Sequence, residues 1–179
     1  MNDGTYKAQQ RLLEKFPKFA QLKIKNTHMI YLASDHAGYE LKNQIGEFLK
    51  EMNLDFEDVG PHTYEAQDDY PDFIIPAAEK VAEKPLENKA IVLGGSGQGE
   101  ALAANKVKGV RAALYYGGPK DIITLSRVHN NANVLSLGAR FLTMDEIKEV
   151  IKLWLATDFT EEERHARRLE KILAYETKK

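Results

Sequence analysis

From Met29 onward, short apolar runs alternate with stretches whose apolar residues recur at helical spacing. Residues 29–34 (MIYLAS) read as a buried strand ending at Asp35-His36-Ala37-Gly38. Residues 40–51 carry Leu41, Ile45, Phe48 and Leu49 on one helical face. Strands are predicted over 55–59, 89–93, 110–115 and 133–137, and helices over 72–82, 100–106, 121–127 and 144–156. A last helix is expected over 160–177, with Thr160 as its cap and Glu161, Glu162 and Glu163 in its first turn, where the helix dipole favours acids.

Five strands alternating with helices imply right-handed βαβ units and a parallel α/β sheet covered on both faces. In such sheets ligands bind beyond the carboxyl ends of the strands, near a reversal of strand order. Residues 1–28 break the pattern: they mix charges with scattered Leu and Phe and contain Pro17. They read as an N-terminal extension, a helix or arm packed on the domain or on a partner chain, ahead of a domain spanning 29–179. Asp3 and Glu14 count against an organellar transit peptide.

Composition narrows the classes. The 179 residues contain no cysteine, which removes thiol catalysis and Cys-based metal sites and fits a reducing compartment. A formal net charge of −2 is not the basic excess expected of a nucleic-acid binder. No apolar run approaches a membrane span and no secretory signal is apparent, so a cytoplasmic protein without nucleic-acid or membrane partners is expected.

The candidate chemistry clusters after strands. Gly94-Gly95-Ser96-Gly97-Gln98-Gly99 follows the third strand and opens a helix, so its backbone N–H groups can converge on negative charge. A dinucleotide fingerprint belongs to the first βα unit, and the Gly-Lys-Ser/Thr ending of a nucleotide P-loop is missing. Glu100, directly behind this loop, is either a partner of the helix dipole or a base beside a carbon acid whose enediolate the loop amides stabilise. Asp35 and His36 end the first strand, where a helix cap with a solvent-facing histidine is the simpler alternative. His129-Asn130-Asn131, between the fourth helix and fifth strand, is expected at or near the same ligand edge. Two histidine loops and a carboxylate suggest acid–base chemistry more than metal binding, because no metal-ligand spacing accompanies them. Arg164 and Arg168 share a helix face, either as a phosphate clamp or as solvated partners of Glu161, Glu163 and Glu170; Arg140 has the same ambiguity.

Taken together, the motifs from about residue 29 to about 171 resemble ribose-5-phosphate isomerase B, within the wider family of ribose, galactose and allose phosphate isomerases. The matching text is Ser34-Asp35-His36-Ala37-Gly38, Asp69-Tyr70-Pro71-Asp72, the glycine loop with Ala103-Ala104-Asn105-Lys106, and Gly109-Val110-Arg111-Ala112-Ala113. It continues with His129-Asn130-Asn131-Ala132-Asn133-Val134, Gly138-Ala139-Arg140 and Arg164-His165-Ala166-Arg167-Arg168. The resemblance implies a Rossmann-like three-layer sandwich and a homodimer, or a tetramer built from it, with the C-terminal helix exchanged and the active sites shared. It also implies aldose–ketose isomerisation of a sugar phosphate without metal or organic cofactor. Many members place a cysteine base at the position of Gly94; a second subgroup uses a glutamate where Glu100 stands, and this chain matches the latter.

Carried over residue by residue, the family assigns Glu100 as the base between C1 and C2 and His129, with Asp35, to ring opening. Ser96 and the amides of Gly95, Gly97, Gln98 and Gly99 would hold the enediolate charge. Asn130 and Tyr70 would contact the sugar, and Arg164 and Arg168 from the partner chain, with Arg140 and His36, the phosphate. The expected reaction is ribose 5-phosphate to ribulose 5-phosphate. The alternatives are a six-carbon substrate (allose or galactose 6-phosphate), a non-catalytic sugar-phosphate sensor and, ranked last, a nucleotide-binding module. A panel of aldose phosphates and deuterium uptake from solvent separate the first two from the expected reaction.

Overall fold

The computed structural model describes residues 29–178, so the expected helix or arm at residues 1–28 lies outside the described residues. The elements run β1 (Ile30–Ser34), α1 (Tyr39–Glu51), β2 (Phe56–Gly60), α2 (Pro71–Glu83), β3 (Lys89–Gly94) and α3 (Gln98–Ala104). They continue with β4 (Ala112–Tyr115), α4 (Asp121–Val128), β5 (Val134–Gly138), α5 (Met144–Ala156) and α6 (Glu163–Glu176). The strands form one all-parallel sheet in the order β2-β1-β3-β5-β4.

β1 and β5 are buried along their whole length and β3 along all but its first residue, which is why they read as continuous apolar runs rather than alternating ones. Side chains alternate between two cores. Ile30, Leu32, Ile91, Leu93, Leu135 and Leu137 face α1, α4 and α5, where Trp154 is fully buried. Tyr31, Ala33, Ala90, Val92 and Val134 face α2 and α3, whose small residues Ala77, Ala78, Ala103 and Ala104 allow close packing. The result is the expected three-layer α/β sandwich. No helix among the described residues is long and apolar enough to cross a membrane.

Several boundaries differ from expectation for identifiable reasons. β4 starts at Ala112, not residue 110, because the Arg111 amide donates to the Asn133 side chain (2.7 Å) instead of a neighbouring strand. α3 begins at Gln98, inside the glycine loop, where Gly97 at φ 75° turns the chain into the helix. It stops at Asn105, whose side chain accepts from the Ala112 amide (2.9 Å) and donates to the Ala112 carbonyl (3.2 Å). Thr160 is not a cap: its hydroxyl donates to the Val128 carbonyl, Glu161 has φ 54°, and α6 begins only at Glu163. α5, by contrast, starts as its sequence predicts, with a capping box between Thr143 and Glu146.

α6 leaves both layers. It begins beside His129, with the His165 ring against it, and near its end Glu176 accepts from the Gly109 amide. Gly109 precedes β4 and His129 precedes β5, so α6 runs along the amino-terminal edge of the sheet.

Candidate active site

Order reverses at β1: the chain adds β2 on one side and β3 on the other. The loops beyond these carboxyl ends meet there. The Asp35 amide donates to the Leu93 carbonyl, tying the loop after β1 to the end of β3. Gly38 lets the two approach, because a Cβ there would lie 2.6 Å from Leu93 Cβ. Asp35 is buried, and its Oδ1 accepts from the Ala37 (2.9 Å) and Gly38 (3.1 Å) amides. The expected capping alternative is thus partly real, because the carboxylate organises the turn into α1.

Glu100 lies in the first turn of α3, 4% exposed, with its carboxylate folded back over Gly94, where a Cβ would overlap it. Burial raises its pKa above the ordinary carboxylate value; its own amide opposes this, and the Asp35 charge pushes upward. A proton acceptor is made stronger in this way. Around it the glycine loop is held firmly. The Ala139 amide donates to the Gly94 carbonyl (2.8 Å) and the Arg140 amide to the Gly95 carbonyl (3.1 Å). The Ser136 hydroxyl donates to the Gly97 carbonyl (2.6 Å). Ser96 Oγ accepts from the Gln98 amide (3.3 Å), so this side chain shapes the loop that it belongs to.

Three further predicted residues join this edge. The Arg140 guanidinium lies over the Gly95 backbone, 3.1 Å from where a Cβ would stand, and the Tyr70 ring lies as closely over Gly99. His36 Nδ1 is 2.7 Å from Asp68 Oδ1, and its backbone amide donates to the same oxygen (3.0 Å). The hydrogen bond to Asp68 raises the His36 pKa, with desolvation and the Arg140 charge opposing it. Asp68 was missed in sequence; it stands next to the Asp69-Tyr70 motif, and nothing in that acidic pair singles out which carboxylate turns inward.

The His129 loop is elsewhere. His129 caps the C-terminus of α4 and precedes β5, which places it with Asn130 at the amino-terminal edge, not at the ligand edge expected from sequence. Arg164 and Arg168 on α6 lie at this same edge and depress the His129 pKa, together with burial, the largest cause, and His165; Glu162 opposes them. β3 and β5 pair from Ala90–Val134 to Gly94–Gly138, so about 13 Å of strand separates the edges at roughly 3.3 Å per residue. The predicted residues therefore form two groups: Asp35, His36, Tyr70, the glycine loop, Glu100 and Arg140 at one edge, and His129, Asn130, Arg164 and Arg168 at the other.

The second group contains a residue not singled out before. His165 is 3% exposed and stacks on His129, with centroids 4.1 Å apart and planes 15° from parallel. Its place between two arginines was visible in sequence, but its inward direction was not.

The family model for ribose/galactose isomerase matches residues 30–172. A probable ribose-5-phosphate isomerase B from Mycoplasma genitalium is 44% identical over 147 residues, 82% of this chain and 95% of that protein. Ribose-5-phosphate isomerase B from Mycobacterium tuberculosis is 42% identical, over 82% of this chain and 89% of its own length. Among solved structures, the M. genitalium ribose-5-phosphate isomerase B with bound ribulose-5-phosphate superposes with a TM-score of 0.81 at 41% identity, covering 87% of this chain and all of that one. The Trypanosoma cruzi type B enzyme gives 0.78 at 38% identity, covering 85% and 100%. The chain belongs to the ribose/galactose isomerase family.

Proposed function

We propose that this protein interconverts ribose 5-phosphate and ribulose 5-phosphate, with Glu100 as the base. The observation that carries this reading is the Glu100 carboxylate, buried against Gly94 behind the glycine loop and next to Asp35. In the open-chain aldose Glu100 takes the C2 proton, leaving an enediolate. The proton returns to C1 while the hydroxyl hydrogen of O2 passes to O1, so no atom is gained or lost. The developing oxyanion is assigned to Ser96 and the amides of the glycine loop, and the anchored carbonyls of Gly94, Gly95 and Gly97 keep that loop set before substrate arrives. Arg140 and His36 supply positive charge for the phosphate, which lets binding at a remote group align the reacting carbons.

Ring opening and the rest of the phosphate clamp fall to His129, Asn130, Arg164 and Arg168 of a second copy. The distance between the two edges supports this assembly, because one chain folded this way does not bring its own two groups together. Two-fold symmetry would make such a contact reciprocal, the amino edge of each protomer completing the carboxyl edge of the other, so that one interface builds two sites. A charged sugar phosphate does not cross bilayers unaided, which supports a cytoplasmic location.

Two measurements test this. Incubation with ribose 5-phosphate in deuterium oxide is expected to give ribulose 5-phosphate labelled at C1 in the turnovers where the proton held on Glu100 exchanges with solvent before it is returned; product without any label is the outcome expected of a direct C2-to-C1 hydride shift instead. Mixing and re-annealing inactive Glu100→Gln with inactive His129→Asn is expected to restore about a quarter of wild-type activity, since half the dimers carry one intact site. No restoration places both residues in one chain's site.

A further inference from the structure

Asp68 lies in the loop between β2 and α2, and both hydrogen bonds that its carboxylate accepts come from His36. Oδ1 accepts from the His36 backbone amide (3.0 Å) and lies 2.7 Å from its Nδ1. The Asp68 side chain is 6% exposed, and Oδ2 is buried without a hydrogen-bond partner among the described residues. A carboxylate taken out of water and served by one residue is costly unless that residue offsets its charge. The His36 side chain, in contrast, remains 30% exposed.

The contact limits what His36 can offer a ligand. Oδ1 is already an acceptor for the amide, so it accepts from Nδ1 as well, and Nδ1 carries the hydrogen. Nε2, on the far side of the ring, is the nitrogen left for a ligand. In a neutral ring held this way Nε2 is a bare acceptor, which repels a phosphate oxygen; in the protonated ring it is a donor. The hydrogen bond from Asp68, the largest influence, and the charge of Asp35 at the end of β1 favour the proton, while desolvation and Arg140 beyond β5 oppose it. Two residues after Asp68, Tyr70 leads into α2 with its ring against Gly99. The segment that holds His36 therefore also touches the glycine loop.

We propose that Asp68 is a positioning residue for phosphate binding, holding the His36 ring so that Nε2–H meets the phosphate beside Arg140. This rests on the isomerase reading above, which gives His36 and Arg140 to the phosphate. A carboxylate that merely braced the loop would need only the backbone amide; the bond to the ring is the part that a bracing role leaves unused.

Full-length protein with heavy nitrogen in its imidazoles tests this by magnetic resonance without turnover, the His36 signals being assigned by their loss in His36→Gln. In the wild type, the neutral ring above its titration midpoint is expected to keep its hydrogen on Nδ1; a hydrogen on Nε2 overturns the proposal. In Asp68→Asn, which keeps the shape and removes the charge, the midpoint is expected to fall, and an equal midpoint overturns the proposal. Kinetics give a second readout. Between the two midpoints, KM of Asp68→Asn for ribose 5-phosphate is expected to exceed wild type several-fold while kcat changes less. Below both midpoints the two KM values should converge, since titration of the substrate phosphate is common to both proteins and cancels in their ratio. In a His36→Gln background the same substitution is expected to add little, because it acts through the ring. An additive or pH-independent rise in KM makes Asp68 a brace and overturns the proposal. A chain whose midpoints differ but that converts no ribose 5-phosphate overturns the isomerase reading and this phosphate role with it, an outcome distinct from equal midpoints in an active enzyme.

Discussion

The carboxylate of Glu100 occupies the volume that any side chain at Gly94 would need. The two positions are mutually exclusive homes for a functional group on one spot of the β3 end. The backbone at Gly94 lies outside the left-handed region, so the neighbouring carboxylate, not conformational strain, excludes a β-carbon there.

Gly94→Ala is therefore expected to push Glu100 aside and lower kcat by about 10²-fold, the cost of misplacing a reacting group by about 1 Å. Adding Glu100→Ala to Gly94→Cys relieves the overlap, so the double variant folds more stably than Gly94→Cys alone. Thermal melting of the three proteins, with steady-state kinetics of the first, checks both statements.

Glu100→Gln keeps the shape and removes the proposed base, and turnover is expected to fall by about 10²–10⁴-fold. The same variant reports on stability. Because the folded-state pKa of Glu100 is raised, the native chain binds this proton more tightly than the unfolded chain does. That stabilisation is present at low pH and is lost as pH rises through the folded value. Melting temperatures of the variant should therefore exceed wild type at pH 8 and converge with it toward pH 4; a constant gap would mean that the carboxylate carries no burial penalty.

Arg168→Ala is expected to raise KM for ribose 5-phosphate about tenfold or more while kcat changes less, the usual worth of one charge-assisted hydrogen bond to phosphate. An unchanged KM would return the arginine to the solvated helix face.

His165→Ala removes the ring stacked on His129. His129 then gains water and loses a like-charged neighbour, so its depressed pKa should climb back toward the ordinary imidazole value, still bounded by Arg164, Arg168 and Glu162. A fall in kcat with the acid limb of the pH profile moved to higher pH is expected, and His165→Phe, which keeps the stack, should recover much of kcat.

Much of this fold was written in local pattern. β1, β3 and β5 are apolar because both faces are covered, and α5 announces itself through Thr143 and Glu146. Glu100 could be singled out because it directly follows a glycine loop, but spacing left open whether it faces solvent as a partner of the helix dipole or turns inward, and only the fold shows it buried over Gly94. The side of the sheet on which His129 stands was not, since its neighbours in sequence look like any loop. Only the rule that residues preceding a parallel strand sit at its amino end, applied to β5, separates it from Asp35. The Asp68 contact with His36 spans 32 positions, and the overlap at Gly94 depends on a β-carbon that the residue does not have. Neither leaves a trace in spacing.

The division of labour between the two rims of the sheet carries over to the life of the molecule. On the proposed assembly, a newly made protomer holds half a reaction centre at each end and turns over nothing. Capacity then arises by mass action: at abundances below the dissociation constant of the pair, output scales with roughly the square of chain concentration. On that assembly, dilution alone would silence the catalyst.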